Sequence, residues 1–138
     1  MNNSNNNNSL RNKILLVDDE PDITAVFSLG LEDHGFKVEL FNDPLQALSN
    51  FKKGSYDLAL IDYKMPVMNG FELYMEIRKI DEKVKVCFIS AFELDLKQKF
   101  ESSLNLPSAL QYGRKNPIYV QKPIEIDELV KRIKEELN

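Results

Sequence analysis

The sequence predicts an α/β fold, a doubly wound parallel sheet of five strands with helices on both faces. Two observations carry this expectation. Short runs that are apolar throughout, such as Ile14 to Val17, Leu58 to Ile61 and Val84 to Ile89, read as strands buried on both faces. Between them lie stretches with apolar residues at helical spacing, and strands alternating with helices specify a parallel sheet covered on both sides.

The elements follow in order from Lys13. Ile14 to Val17 is the first strand. Pro21 suits a helix start, where its missing N–H costs nothing, and Ile23, Val26, Phe27 and Leu31 continue at helical spacing until Gly35. Lys37 to Phe41 alternates as a short strand. Asp43-Pro44 is an N-cap and first-turn pair, with Leu45, Leu48 and Phe51 marking the helix that Gly54-Ser55 ends. Leu58 to Ile61 is the central strand, and Gly70 opens a helix carrying Leu73, Ile77 and Ile80. Val84 to Ile89 and Ile118 to Gln121 complete the sheet. Ile126, Leu129, Val130, Ile133 and Leu137 form the clearest amphipathic stripe, a final helix. Right-handed crossovers then give a flavodoxin-like layout with strand order 2-1-3-4-5.

Between Phe92 and Asn116 the pattern is irregular. Leu96, Phe100 and Leu104 suit one helical face, and the stretch to Asn116-Pro117 reads as a long loop, of a kind that points to mobility or to a specific interaction. Residues 1 to 11 are an Asn-rich tail with little apolar surface to bury, expected to be disordered, which leaves one domain over 12–138.

Composition narrows the function. The 138 residues carry 18 basic and 22 acidic side chains, a net charge of −4 that argues against non-specific nucleic-acid binding. No apolar run approaches the ~20 residues of a membrane span. The N-terminus lacks a charged-then-apolar signal pattern, so a cytoplasmic location is expected. The single cysteine, Cys87, sits in an apolar strand as a buried thiol, and excludes an internal disulfide and a cysteine zinc site. His34, beside Gly35, fits a helix end rather than catalysis.

The chemistry collects at strand ends. Asp18-Asp19 follows the first strand, Asp62 the third, Ser90 the fourth and Lys122-Pro123 the fifth. In a parallel sheet these tips share one edge, where open α/β folds hold their ligands. Three carboxylates held close together stay ionised only with a compensating cation, and an all-oxygen set suits Mg²⁺ or Mn²⁺. Such a metal invites a phosphate, and Asp62 can then act as a nucleophile, forming an acyl phosphate. Lys122 supplies a cation for Asp62 before transfer and for a phosphoryl oxygen after it. Ser90 supplies a hydroxyl that can swing toward those oxygens. Lys122-Pro123 is a candidate cis peptide.

With Asp18-Asp19, Asp62 followed by Met65-Pro66 and Gly70, Ser90-Ala91 and Lys122-Pro123 in this order, the chain from Lys13 to Leu137 resembles the receiver domain of two-component response regulators, and its length is similar to that of chemotaxis-type stand-alone receivers. The resemblance implies that Asp62 accepts phosphate from a sensor histidine kinase or a histidine phosphotransfer protein. It implies that Asp19, Asp62 and the backbone carbonyl of Lys64 bind Mg²⁺ directly, with Asp18 acting through water. Ser90 stands at the switch Thr or Ser position, and Tyr119 at that of the rotating aromatic. Phosphorylation would draw in Ser90, let Tyr119 turn inward and change the face made by the fourth helix, last strand and last helix, read by an output protein or by a phosphorylation-dependent dimer of an otherwise monomeric chain. Lys64 and Phe92 flank the family's water path to the phosphoryl group, and Phe92 is expected to slow its loss.

The chain departs from the family pattern between Ser90 and Lys122, which is longer than usual, most of the excess falling at Asn105 to Asn116. The small Gly-Ala pair usual before the last strand is not evident. Two other readings compete. A magnesium-dependent phosphatase with an Asp nucleophile would place its acids as D-x-D after the first strand, whereas here they are adjacent. A vestigial receiver serving only as an interaction module fits poorly with the full set Asp18, Asp19, Asp62, Ser90 and Lys122. Direct DNA binding is not expected, for want of a basic patch with a recognition helix.

Overall fold

The computed structural model describes residues 12–90 and 117–138. They form β1 (Lys13–Val17), α1 (Pro21–Asp33), β2 (Lys37–Phe41), α2 (Pro44–Asn50), β3 (Leu58–Asp62), α3 (Gly70–Ile80), β4 (Lys85–Ser90), β5 (Ile118–Gln121) and α4 (Ile126–Leu137). All strand pairs are parallel, in the order β2-β1-β3-β4-β5. The chain leaves β1 toward one edge and returns to β3 on its other side, so a crevice opens between the tips of β1 and β3.

Alternation along the strands splits the core into two layers. Leu15, Val17, Ala59, Ile61, Val86 and Phe88 point to one side, onto Ala47 of α2 and Leu73, Tyr74 and Ile77 of α3. Ile14, Leu16, Leu58, Leu60, Cys87 and Ile89 point to the other, onto Phe27 and Leu31 of α1 and Leu129, Val130 and Ile133 of α4. Cys87 is buried and forms no disulfide. His34 caps the C-terminus of α1, its Nδ1 2.9 Å from the Gly30 carbonyl and its Nε2 3.4 Å from Asp127 of α4.

Three helical stripes differ from the sequence reading. In α1 the buried face is Thr24, Phe27, Ser28 and Leu31, which turns Val26 outward at 64% exposure. In α2 the core position belongs to Ala47. Leu45 is exposed, and Phe51 lies beyond the last turn as an extended C-cap. In α3 the stripe takes in Arg78 rather than Ile80. The Arg78 guanidinium donates to the Val84 carbonyl at 2.6 Å and lies over the Tyr74 ring, 5.0 Å from its centroid. A buried arginine is tolerated there because it ties the end of α3 to the start of β4 and faces Asp81, whose carboxylate also accepts the Lys83 and Gly54 amides. The helical face expected at Leu96, Phe100 and Leu104, the loop to Asn116, and Phe92 lie outside the described residues.

Candidate functional site

Strand register builds the site. Val17 pairs with Ile61, so the next residues, Asp18 and Asp62, emerge side by side from the crevice. Asp62 pairs with Ile89, and Ser90 with Gln121, which brings Ser90 and Lys122 to the same edge. Carboxylate oxygens of Asp18, Asp19 and Asp62 lie within 4.8 Å of one another. Asp18 and Asp62 are buried, whereas Asp19 is half-buried.

The first loop is pinned by its own polar groups. Asp18 Oδ1 accepts the Glu20 amide at 2.9 Å, and Asn42 Nδ2 donates to the Asp18 carbonyl at 2.8 Å and to Thr24 Oγ1 at 2.9 Å. The second loop is held by Asn69, which caps α3 in a reciprocal box with Glu72. Gly70 is obligatory there, since a Cβ would sit 2.5 Å from the Asp62 carbonyl oxygen and 2.8 Å from Tyr63 Cα. In the same loop Val67 has φ 71°, a left-handed conformation unusual for a β-branched residue.

Lys122 reaches into the acids across the Lys122-Pro123 peptide, which is cis as its sequence suggests. Its Nζ lies 3.0 Å from Asp18 Oδ2, 3.3 Å from Asp62 Oδ1 and 3.3 Å from Glu20 Oε1. Burial pushes the Asp62 pKa up to about 7, helped by the Asp18 charge and opposed by Lys122. Burial likewise raises Asp18, against the Glu20 amide and Lys122. Burial works against the Lys122 charge, but its bond to Asp18 and the charges of Asp62 and Asp18 outweigh it, so its pKa is raised. Among the described residues, one cation thus faces more negative charge than it offsets, and the donor set of carboxylates suits a hard divalent ion such as Mg²⁺.

Above these groups an open cleft of about 560 Å³ is lined by Asp19, Glu20, Asp62, Lys64, Met65, Pro66, Ser90 and Lys122. Of the residues expected at the site from sequence, Asp18, Asp19, Asp62, Lys64, Ser90 and Lys122 are therefore in or beside it, Tyr119 is not, and Phe92 lies outside the described residues. The Tyr119 ring is buried in the core, stacked on Phe88 with centroids 5.9 Å apart. Glu20, just before α1, is a site residue that the sequence reading did not single out. Its signal as a site residue was its place directly after Asp18-Asp19.

A family model, "Response regulator receiver domain", matches residues 14–134. The chain belongs to this family. Among curated relatives, this receiver domain is 37% identical over 122 residues to the transcriptional regulatory protein CpxR homolog of Haemophilus influenzae, covering 88% of this chain and 48% of that protein. It is 33% identical over 125 residues to the regulatory protein VanRc of Enterococcus gallinarum, covering 91% of this chain and 49% of the relative. The chain spans about half the length of these relatives. Among solved structures, a CheY-like receiver domain protein from Methanospirillum hungatei matches with TM-score 0.75 and 28% identity, over 92% of this chain and 94% of that one. The response regulator TrrA from Thermotoga maritima, solved in complex with Mg²⁺ and a beryllofluoride, matches with TM-score 0.70 and 30% identity, over 92% and 99% of the two chains. This receiver domain is thus of the two-component type. Among the described residues, no helix is long and apolar enough to cross a membrane.

Proposed function

We propose that this receiver domain is a cytoplasmic phosphorylation switch in which Asp62 takes a phosphoryl group from a phosphohistidine on a sensor kinase or phosphotransfer protein. The observation that carries the reading is Asp62 on the cleft, beside Asp18, Asp19 and the Lys122 ammonium. An Asp62 carboxylate oxygen attacks phosphorus, the P–N bond to imidazole breaks, and the leaving nitrogen takes a proton, leaving an aspartyl phosphate.

Asp19, Asp62 and the Lys64 carbonyl would hold Mg²⁺, with Asp18 assisting through water. When bound, the ion supplies charge neutralisation for the phosphoryl oxygens. Lys122 pairs with Asp62 before transfer and with a phosphoryl oxygen after it. Ser90, at the end of β4, donates its hydroxyl to the same oxygens. The domain acts as a stoichiometric acceptor rather than a turnover enzyme, and hydrolysis of the aspartyl phosphate resets it. The relatives that share this domain are transcriptional regulators, and the output here is a change in a protein-binding face. Incubation with Mg²⁺ and acetyl phosphate, followed by intact mass, tests the reading: one phosphoryl group is expected on the native chain, and none on Asp62→Asn.

A further inference from the structure

Lys122 has three N–H donors and faces three carboxylates, those of Asp18, Glu20 and Asp62 at 3.0, 3.3 and 3.3 Å. Its hydrogen-bonding capacity is matched by the acids around it. A phosphoryl group on Asp62 takes the place of that carboxylate as partner of the ammonium and brings more negative charge, so it must share the single positive charge with Asp18 and Glu20. Asp18 is fully buried, and among the described residues Lys122 is the cation that compensates it. Asp62 carries the phosphoryl group. Glu20 differs from both, because its side chain is 62% exposed and water can replace Lys122 as its partner.

We propose that Glu20 is a positioning residue that competes with the phosphoryl group for Lys122, and so limits how far and how long Asp62 stays phosphorylated. The proposal rests on the reading of Asp62 as phosphoacceptor. The Glu20 backbone is fixed independently of its carboxylate. Its amide donates to Asp18 Oδ1, its carbonyl accepts the Ile23 and Thr24 amides, and its side chain makes no capping bond to α1. Replacing the carboxylate by an amide therefore removes the competing charge and leaves the first turn of α1 intact.

The test is a double-mutant cycle on the full chain. Wild type, Glu20→Gln, Lys122→Gln and the double variant are incubated with saturating Mg²⁺ and limiting acetyl phosphate, and the phosphorylated to unphosphorylated ratio is read by intact mass. Glu20→Gln is expected to raise that ratio about two- to five-fold, the size of an exposed ion pair, and to slow decay after donor removal. In the Lys122→Gln background the same substitution is expected to change nothing. Should that background carry too little label to compare, beryllofluoride binding reads the same cycle. A Glu20→Gln ratio at or below wild type overturns the proposal, as does an equal rise in both backgrounds, which would mark a general charge effect on the anionic donor. Wild-type protein that takes no label at all refutes the phosphoacceptor reading itself.

Discussion

Lys122 Nζ lies 3.0 Å from Asp18 Oδ2, although 104 residues separate the two in sequence. The contact joins the tips of β1 and β5 across the whole width of the site, and its electrostatics set the first expectation. Lys122→Ala removes the cation shared by two buried carboxylates, so the metal-free protein should lose about 1–3 kcal/mol, less than for a fully enclosed pair because Lys122 keeps some contact with water. Denaturant melts at pH 8 with and without Mg²⁺ check this, and Mg²⁺ should recover part of the loss. The variant should still take up phosphate but respond weakly, with a smaller change in partner binding on phosphorylation.

Asp62 gives the pH dependence. Its carboxyl is raised from an ordinary 3.8 to about 7 by burial and the Asp18 charge. A carboxyl whose pKa rises on folding adds stability below its unfolded value and loses it as pH climbs through the folded one. Metal-free Asp62→Asn should therefore match wild type near pH 4 and exceed it above pH 7, by up to about 4 kcal/mol if the whole rise is expressed. Mg²⁺ affinity of the wild type should fall as pH drops below about 7, with proton release on binding seen by calorimetry in buffers of different ionisation enthalpy.

Gly70 should tolerate no side chain. A Cβ there meets backbone of Tyr63 and Asp62, which cannot move without moving the Asp62 side chain. Gly70→Ala is expected to cost about 1–3 kcal/mol, in the range for overpacking, and to slow phosphate uptake by the folded fraction, measured by melting and by label per folded chain.

Val67 offers the opposite case. It holds φ 71° while the residue is 87% exposed, so it has backbone strain and little packing to lose. Val67→Gly should stabilise the domain by up to about 1 kcal/mol, relief of the left-handed penalty being partly offset by glycine's entropy. An unchanged or lower midpoint in urea would contradict this.

Much of the site could be read from the sequence because strand tips are marked by chemistry. An apolar run that ends in Asp62 or in Asp18-Asp19 has nowhere else to put a charge than at the sheet edge, and parallel order then brings those tips together. The helix faces were harder to read. Val26, Leu45 and Ile80 are apolar at plausible spacing, yet the true stripes run through Thr24, Ala47 and Arg78. Polar residues hold two of those positions because a partner waits: Asn42 for Thr24, the Val84 carbonyl for Arg78. Such partners come from distant loops, which no local period can report. Glu20 escaped for the same reason, since its partner Lys122 lies 102 residues away. The inward Tyr119 ring, by contrast, follows from its neighbour Phe88, its partner in the sheet register.

The most direct test of the account is the modification state of Asp62 itself. After incubation with Mg²⁺ and acetyl phosphate, the native chain should gain one hydroxylamine-sensitive phosphoryl group mapping to the peptide that contains Asp62, and chelation of the metal should prevent it. A phosphoryl group retained by Asp62→Asn, or no uptake by the native chain with Mg²⁺ present, would contradict it.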